Sequence, residues 1–200
     1  EARQIQTTAA RNAVLERAAA WCEQNGHFRD AVEYALAAHA LPLAVRVLEK
    51  AAPTFVRNRG DTPQYLAWAR SLLDQGATLG WEAEYWYVWG LVLNQRYDEG
   101  RHQLERFASR IRRTRCSGKA SGAVREVERR LDIVRMCIAV FTDALDDADR
   151  QAAAWLASAA ADDPFDMTVA RCIRSIHGSS VYRFVDARAA ILAAQSSASQ

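Results

Sequence analysis

From residue 6 to residue 195, apolar side chains recur at spacings of three and four. Strict alternation over strand lengths is absent, and glycine and proline fall between the apolar runs. That pattern admits one fold class, all-α. It predicts about ten helices, over 6–24, 28–39, 42–58, 62–74, 81–95, 97–114, 121–145, 147–161, 164–176 and 181–195. Several ends carry their own signals. Asp61-Thr62-Pro63 and Asp162-Asp163-Pro164 set a capping side chain before a first-turn proline, while Gly26, Gly60 and Gly76 follow helix ends. Connections of about two to five residues make consecutive helices antiparallel neighbours, so the chain is expected to be a string of hairpins. Half of its 200 residues are apolar, enough to bury a core.

The stretch NAVLERAAAWCEQNGHFRDAVEYALAAHALP, residues 12–42, shows why so many of those apolar residues are alanine. Leu15, Ala18, Ala19 and Cys22 fall on one helix, Gly26 and Phe28 at the turn, and Ala31, Ala35 and Ala38 on a second helix before Pro42. Small side chains at those places let two helices of a hairpin approach closely. The spacing is that of a tetratricopeptide repeat, and Gly60 follows Gly26 by one 34-residue period. A second copy is carried by Trp86, Trp89, Gly90 and Leu93, followed by RYDEG at the turn. A third is degenerate: Met136, Ala139 and Val140, then Ala152, Leu156, Ala159 and Pro164. The expected architecture is a tetratricopeptide-like right-handed superhelix of antiparallel helical hairpins. It would form a single domain over 1–200, with the better-matched repeats in 1–114 and degenerate ones in 115–200.

If Trp86, Trp89, Gly90 and Leu93 face the partner helix, Glu84, Tyr87, Leu91 and Asn94 form a second stripe, with Gln95 beside it. The matching stripe of the first hairpin is Ala13, Glu16, Ala20 and Glu23. In a superhelix that stripe lines the concave face, where such proteins bind, so Glu84, Tyr87, Leu91, Asn94, Gln95, Glu16 and Glu23 are the candidate ligand-binding residues. The plainer reading has Tyr87 and Leu91 packing on a neighbouring hairpin and the polar members simply solvated.

Other function classes find little support. His27, His39, His102 and His177 are scattered, with neither HExxH spacing nor a nucleophile beside them, so no catalytic or metal residue is predicted. LDDADR lacks the order of a calcium loop, and its Asp146 and Asp147 are expected to cap the next helix. HGSSVY reads as a helix-to-helix turn. Cys22, Cys116, Cys137 and Cys172 form no CxxC pair, which with the absence of a signal peptide or a bilayer-length apolar run points to reduced thiols in the cytoplasm. All but two of the 26 basic residues are arginine, which together with the many alanines suggests a bacterial genome rich in G and C. Ten of them (Arg101, Arg106, Arg110, Arg112, Arg113, Arg115, Lys119, Arg125, Arg129 and Arg130) fall in 101–130 against three acidic residues. That is +7 locally within a net +2. RRTRCSGKASG there reads as a solvated basic loop, with docking on an acidic neighbouring domain as the next reading and a phosphate-binding patch after it.

The stretch RAAAWCEQNGHFRDAVEYALAAHALPLAVRVLEKAAPTFVRNRGDTPQYLAWARSLL resembles a segment of MalT-like regulators, the large ATP-binding LuxR-type transcriptional activators. Trp21 to Gly26, Ala31 to Ala38, Ala44 to Glu49 and Gly60 to Leu73 carry the resemblance, and the aromatic helix and DDPF at 162–165 are similar to the next segment of those regulators. The chain departs from the pattern at Asp74, where a proline would stand, and in the basic connection at 110–120. The resemblance implies a fragment of a longer protein, the part that senses a small-molecule inducer or a regulatory protein. DNA and ATP would be handled only by domains absent from this chain, since neither a G-x-x-x-x-G-K-S/T loop nor a helix-turn-helix pattern occurs here. No cofactor, no membrane contact and no enzymatic activity are expected of this fragment. The alternative is a tetratricopeptide-type protein–protein scaffold unrelated to transcription.

Overall fold

The computed structural model describes residues 8–118, 122–158 and 163–198, apart from the side chains of 123, 125, 126, 129 and 158. Lys119, Ala159 and Asp162, and the side chains of Arg125 and Arg129, therefore lie outside the described residues. Within them the chain is all-helical, with ten α-helices and no strand. It divides into two compact units, Glu1–Asn94 and Gln95–Gln200. The division falls inside the stretch 81–114 that the sequence reads as the second hairpin.

The first unit holds α1 (Thr8–Gln24), α2 (Phe28–Ala37), α3 (Leu41–Pro53), α4 (Thr62–Asp74) and α5 (Trp81–Leu93). Helix α1 packs on α2, α2 on α3, and α5 against both α3 and α4. Ala19 on α1 and Ala31 and Ala35 on α2 are fully buried, as the small-residue pattern requires, whereas Leu15 and Ala18 are half-exposed. Pro53 removes a donor from the end of α3, and the chain continues there as one wide π turn, Thr54–Asn58. Arg29 stacks over the Phe55 and Trp68 rings at 5.9 and 5.6 Å and pairs with Asp61. Asp61 is therefore committed to an ion pair and makes no side-chain cap on α4.

Helix α5 enters its bundle through a cap borrowed from another helix. Gly80, its N-cap, has no side chain, and the Glu49 carboxylate of α3 accepts instead from Glu82 N at 3.0 Å and Ala83 N at 2.8 Å. The buried Tyr65 hydroxyl donates to Ala83 O at 2.7 Å, so Ala83 is held from α3 and α4 together. Burial, with Glu49 and Glu82 nearby, pushes the Tyr65 phenol well above its ordinary range. Further along, Gly90 lies against Leu66 of α4, where a β-carbon would come within 3.0 Å of Leu66 Cδ2.

The second unit holds α6 (Tyr97–Cys116), α7 (Gly122–Phe141), α8 (Leu145–Ser158), α9 (Pro164–Ser180) and α10 (Phe184–Ala198). Each helix packs on the next, α7 also meets α9, and α9 with α10 is the most intimate pair. Helix α6 runs through Arg115 and Cys116, so Arg112 to Cys116, the first five residues of the stretch read as a basic loop, are helix and Ser117 and Gly118 are turn. Its arginines find local partners: Arg115 bonds Glu128 at 2.8 Å and Arg112 bonds Ser109 at 2.8 Å. Arg130 is buried beside Asp166 of α9, with Nε to Oδ2 3.6 Å. Asp163 does cap α9, accepting from Phe165 N at 2.8 Å.

Candidate functional site

The two polar motifs set aside in the sequence, LDDADR and HGSSVY, meet in the second unit. Helix α7 closes around Asp143, whose φ is 65°, with Asp143 N donating to Val140 O and Ala144 N to Ala139 O. That closure starts α8 at Leu145. Asp146 and Asp149 thereby fall three apart on one helical face instead of capping the helix from outside. Arg174 and His177 stand three apart on the facing turns of α9. His177 is buried, and its Nε2 lies 2.8 Å from Asp146 Oδ1. Its Nδ1 lies 3.3 Å from Arg183 Nη2 and 3.4 Å from Asp149 Oδ2. A proton on Nε2 is donated to Asp146 and leaves Nδ1 to accept from Arg183. Arg174 Nε reaches Asp149 Oδ1 at 3.2 Å.

Arg183 arrives there because α9 ends in the same closure as α7, with Tyr182 N donating to Ser179 O and Arg183 N to Gly178 O. The left-handed residue is Tyr182, φ 60°, a conformation that costs an L-residue about 1 kcal/mol or more and that glycine adopts freely. Gly178 lets α10 return close to α9: a β-carbon on it would sit 3.2 Å from Ala187 Cβ and 3.3 Å from the Ala187 backbone. Between the two helices, beside α8, a cleft of about 250 Å³ opens, lined by the small residues Gly178, Ala189 and Ala190 and by a charged rim of Asp149, Arg174, Arg183 and Asp186.

The segment that supplies two of those rim residues also carries the most exposed apolar surface of the unit. Tyr182, Phe184 and Val185 are 81, 62 and 84% exposed, and Leu192 follows one heptad after Val185. A second cleft, about 280 Å³, lies between α6 and α7. Its Arg135 is committed to Asp132 and Glu105 and its Arg101 approaches Thr142 Oγ1, which leaves fewer free groups for a ligand. Among the described residues, no three His, Cys, Asp or Glu side chains form a metal-holding group, and no helix is long and apolar enough to cross a membrane.

The residues proposed from sequence lie elsewhere. On α5, Glu84, Tyr87 and Leu91 are buried, as is every residue from Ala83 to Val92, while Leu93, expected to face a partner helix, is half-exposed. A helix apolar on all sides gives periodicity no polar face to find. Asn94 is tied to Thr62 Oγ1 and Gly90 O, both at 2.7 Å. Glu23 holds Arg46 at 2.7 Å and Lys50 at 2.5 Å. Glu16 and Gln95 are exposed. The seven do not form one open surface. All four thiols are free, and Cys116 alone of them is exposed. Burial, with Asp166 and Cys172 adding, pushes Cys137 up to about 12. No protein-family model, curated protein or solved structure matches the chain.

Proposed function

We propose that this chain is the effector-sensing and partner-binding part of a MalT-like LuxR-type regulator, and that the effector site is the α8–α10 cleft in place of the α5 stripe. One observation carries the reading: over 182–186, residues that rim the cleft (Arg183, Asp186) are interleaved with residues that form an exposed apolar surface (Tyr182, Phe184, Val185). A small molecule held by the first set restrains the backbone that presents the second. Exposed apolar surface of this density is characteristic of a protein-binding edge. Binding in the cleft then changes affinity for a partner by shifting an equilibrium between arrangements of that turn, without chemistry.

The test is a metabolite screen by thermal shift on the 200-residue chain. An effector at a hundredfold over its Kd stabilises by about 2.7 kcal/mol, and that stabilisation should vanish in Arg183→Gln. Hits that ignore Arg183→Gln would refute the site. The regulatory part of the reading is tested by the complete reading frame, which should encode a phosphate loop before this region and a helix-turn-helix after it. A frame of helical repeats alone would favour the scaffold.

A further inference from the structure

The charges around the α8–α10 cleft identify the chemistry of what fits it. Asp146 accepts from His177, and Asp149 accepts from Arg174. Arg174 uses only Nε in that pair, and Arg183 uses one Nη on the imidazole. Each guanidinium keeps free N–H donors at the cleft mouth. Asp186 lines the same cleft as both arginines and has no hydrogen-bond or ion-pair partner among the described residues. Its place in the first turn of α10 accounts for a carboxylate there. It does not account for two arginines and an aspartate sharing one cleft with more than ion-pair distance between them.

We propose that the gap is bridged by a small zwitterion, an α-amino carboxylate of amino-acid size. The ligand carboxylate takes the free donors of Arg174 and Arg183, in the forked geometry guanidinium favours. The ligand ammonium lies on Asp186. A volume of about 250 Å³ equals roughly eight waters at about 30 Å³ each, room enough for a free amino acid. The small residues of its lining, Gly178, Ala189 and Ala190, offer a side chain apolar contact. A neutral sugar would leave both guanidinium mouths and the Asp186 carboxylate without charged partners.

This inference rests on the cleft being the effector site, and the experiment separates the two. The full chain is titrated by calorimetry and thermal shift with the twenty amino acids, with the matching carboxylic acids lacking the amine, with the matching amines lacking the carboxylate, and with neutral sugars. The expected result is saturable binding of at least one amino acid and at least tenfold weaker binding of its two truncated forms. Arg174→Gln, Arg183→Gln and Asp186→Asn should each weaken it at least tenfold, and Arg106→Gln, on the exposed face of α6, should leave it unchanged. Each variant's transition without ligand is measured first, and binding is read well below it. Binding of a sugar, or of a carboxylic acid as tightly as the amino acid, abolished by Arg183→Gln, would overturn the zwitterion while leaving the cleft as the site. Absence of any binder, or binding indifferent to all three variants, would overturn both.

Discussion

The borrowed cap on α5 makes a prediction whose sign depends on a second residue. Glu49 accepts from two amides at the start of α5, at 3.0 and 2.8 Å, and Ala83 is fully buried. Losing the carboxylate removes two charge-assisted bonds and leaves a buried amide without its acceptor. Glu49→Ala should therefore cost about 2 to 3 kcal/mol. A β-carbon on Gly80 would lie 2.1 Å from Glu49 Oε2 and 2.3 Å from its Cδ, so the carboxylate would have to leave. Gly80→Ala should thus cost nearly as much as Glu49→Ala, about 2 kcal/mol. Yet Gly80 itself has φ −64° and ψ 172°, an extended conformation any residue adopts. In the Glu49→Ala background those three contacts are gone, and the same substitution should be neutral to within about 0.5 kcal/mol or slightly stabilising. The double-mutant cycle therefore has a coupling of about 2 kcal/mol. Urea titration of the full chain reads it through tryptophan fluorescence, because Trp81, Trp86 and Trp89 all lie on α5. Equal costs for Gly80→Ala in both backgrounds would refute the capping role of Glu49.

Other contacts set expectations of the same kind. Gly178→Ala should destabilise by about 1 to 2 kcal/mol in a melt despite alanine's better helix propensity, because the obstruction includes Ala187 backbone that cannot step aside; an unchanged melt would show that α10 can shift. Tyr182→Gly should raise Tm by a few degrees by relieving the left-handed strain and weaken capture of any partner that depends on the apolar turn, whereas His39→Gly, at φ 55° on the other unit, should do only the first. Hydrogen bonding from Arg46, then from Lys50, holds the Glu23 carboxyl below the usual range against the opposing effect of its burial. Its folded pKa is therefore below the unfolded one. The stabilisation is full above about pH 4.3 and is lost as pH falls through the lowered value. Both partners are more than half exposed, so Glu23→Gln should cost under about 1 kcal/mol at neutral pH, with the two proteins converging in acid denaturation. A thiol-reactive disulfide reagent should label Cys116 within the mixing time and Cys137, buried and raised to about 12, only on unfolding.

The positions of the helices were legible because their punctuation is local. Gly26, Gly60 and Gly76 take the left-handed conformation that ends a helix, and Asp163 with Pro164 starts one. Boundaries slipped where the same backbone closure is built on other residues. Asp143 and Tyr182 both turn left-handed, so α7 ends earlier and α9 later than apolar spacing suggests. The small-residue crossing at Ala19, Ala31 and Ala35 was readable for the same reason as the glycines, because it needs only the size of the side chain. The division at Asn94 was not readable, since it depends on which neighbour α5 covers, and an evenly apolar helix points nowhere in particular.

The candidate site escaped the sequence for a related reason. Asp146 and His177 are 31 residues apart and become partners only once α8 and α9 pack, while the HGSSVY motif that contains His177 looks like a turn and proves to be helix through Ser180. One signal was nevertheless in view. VYRFV places four large apolar residues around an arginine at a helix junction, where a soluble connection ordinarily carries glycine, asparagine or aspartate. Tyrosine in the left-handed position carries a strain that glycine would not, and its side chain, 81% exposed, meets the Phe184 ring edge-on. The strain and the exposure fall on the residue next to Arg183, which touches the buried imidazole and, with Asp149, lines the cleft. Left-handed residues other than glycine also stand at His39, Gln95 and Asp143, so it is the exposed apolar side chains on either side of Arg183 that lead us to read the cleft and the apolar turn as one device.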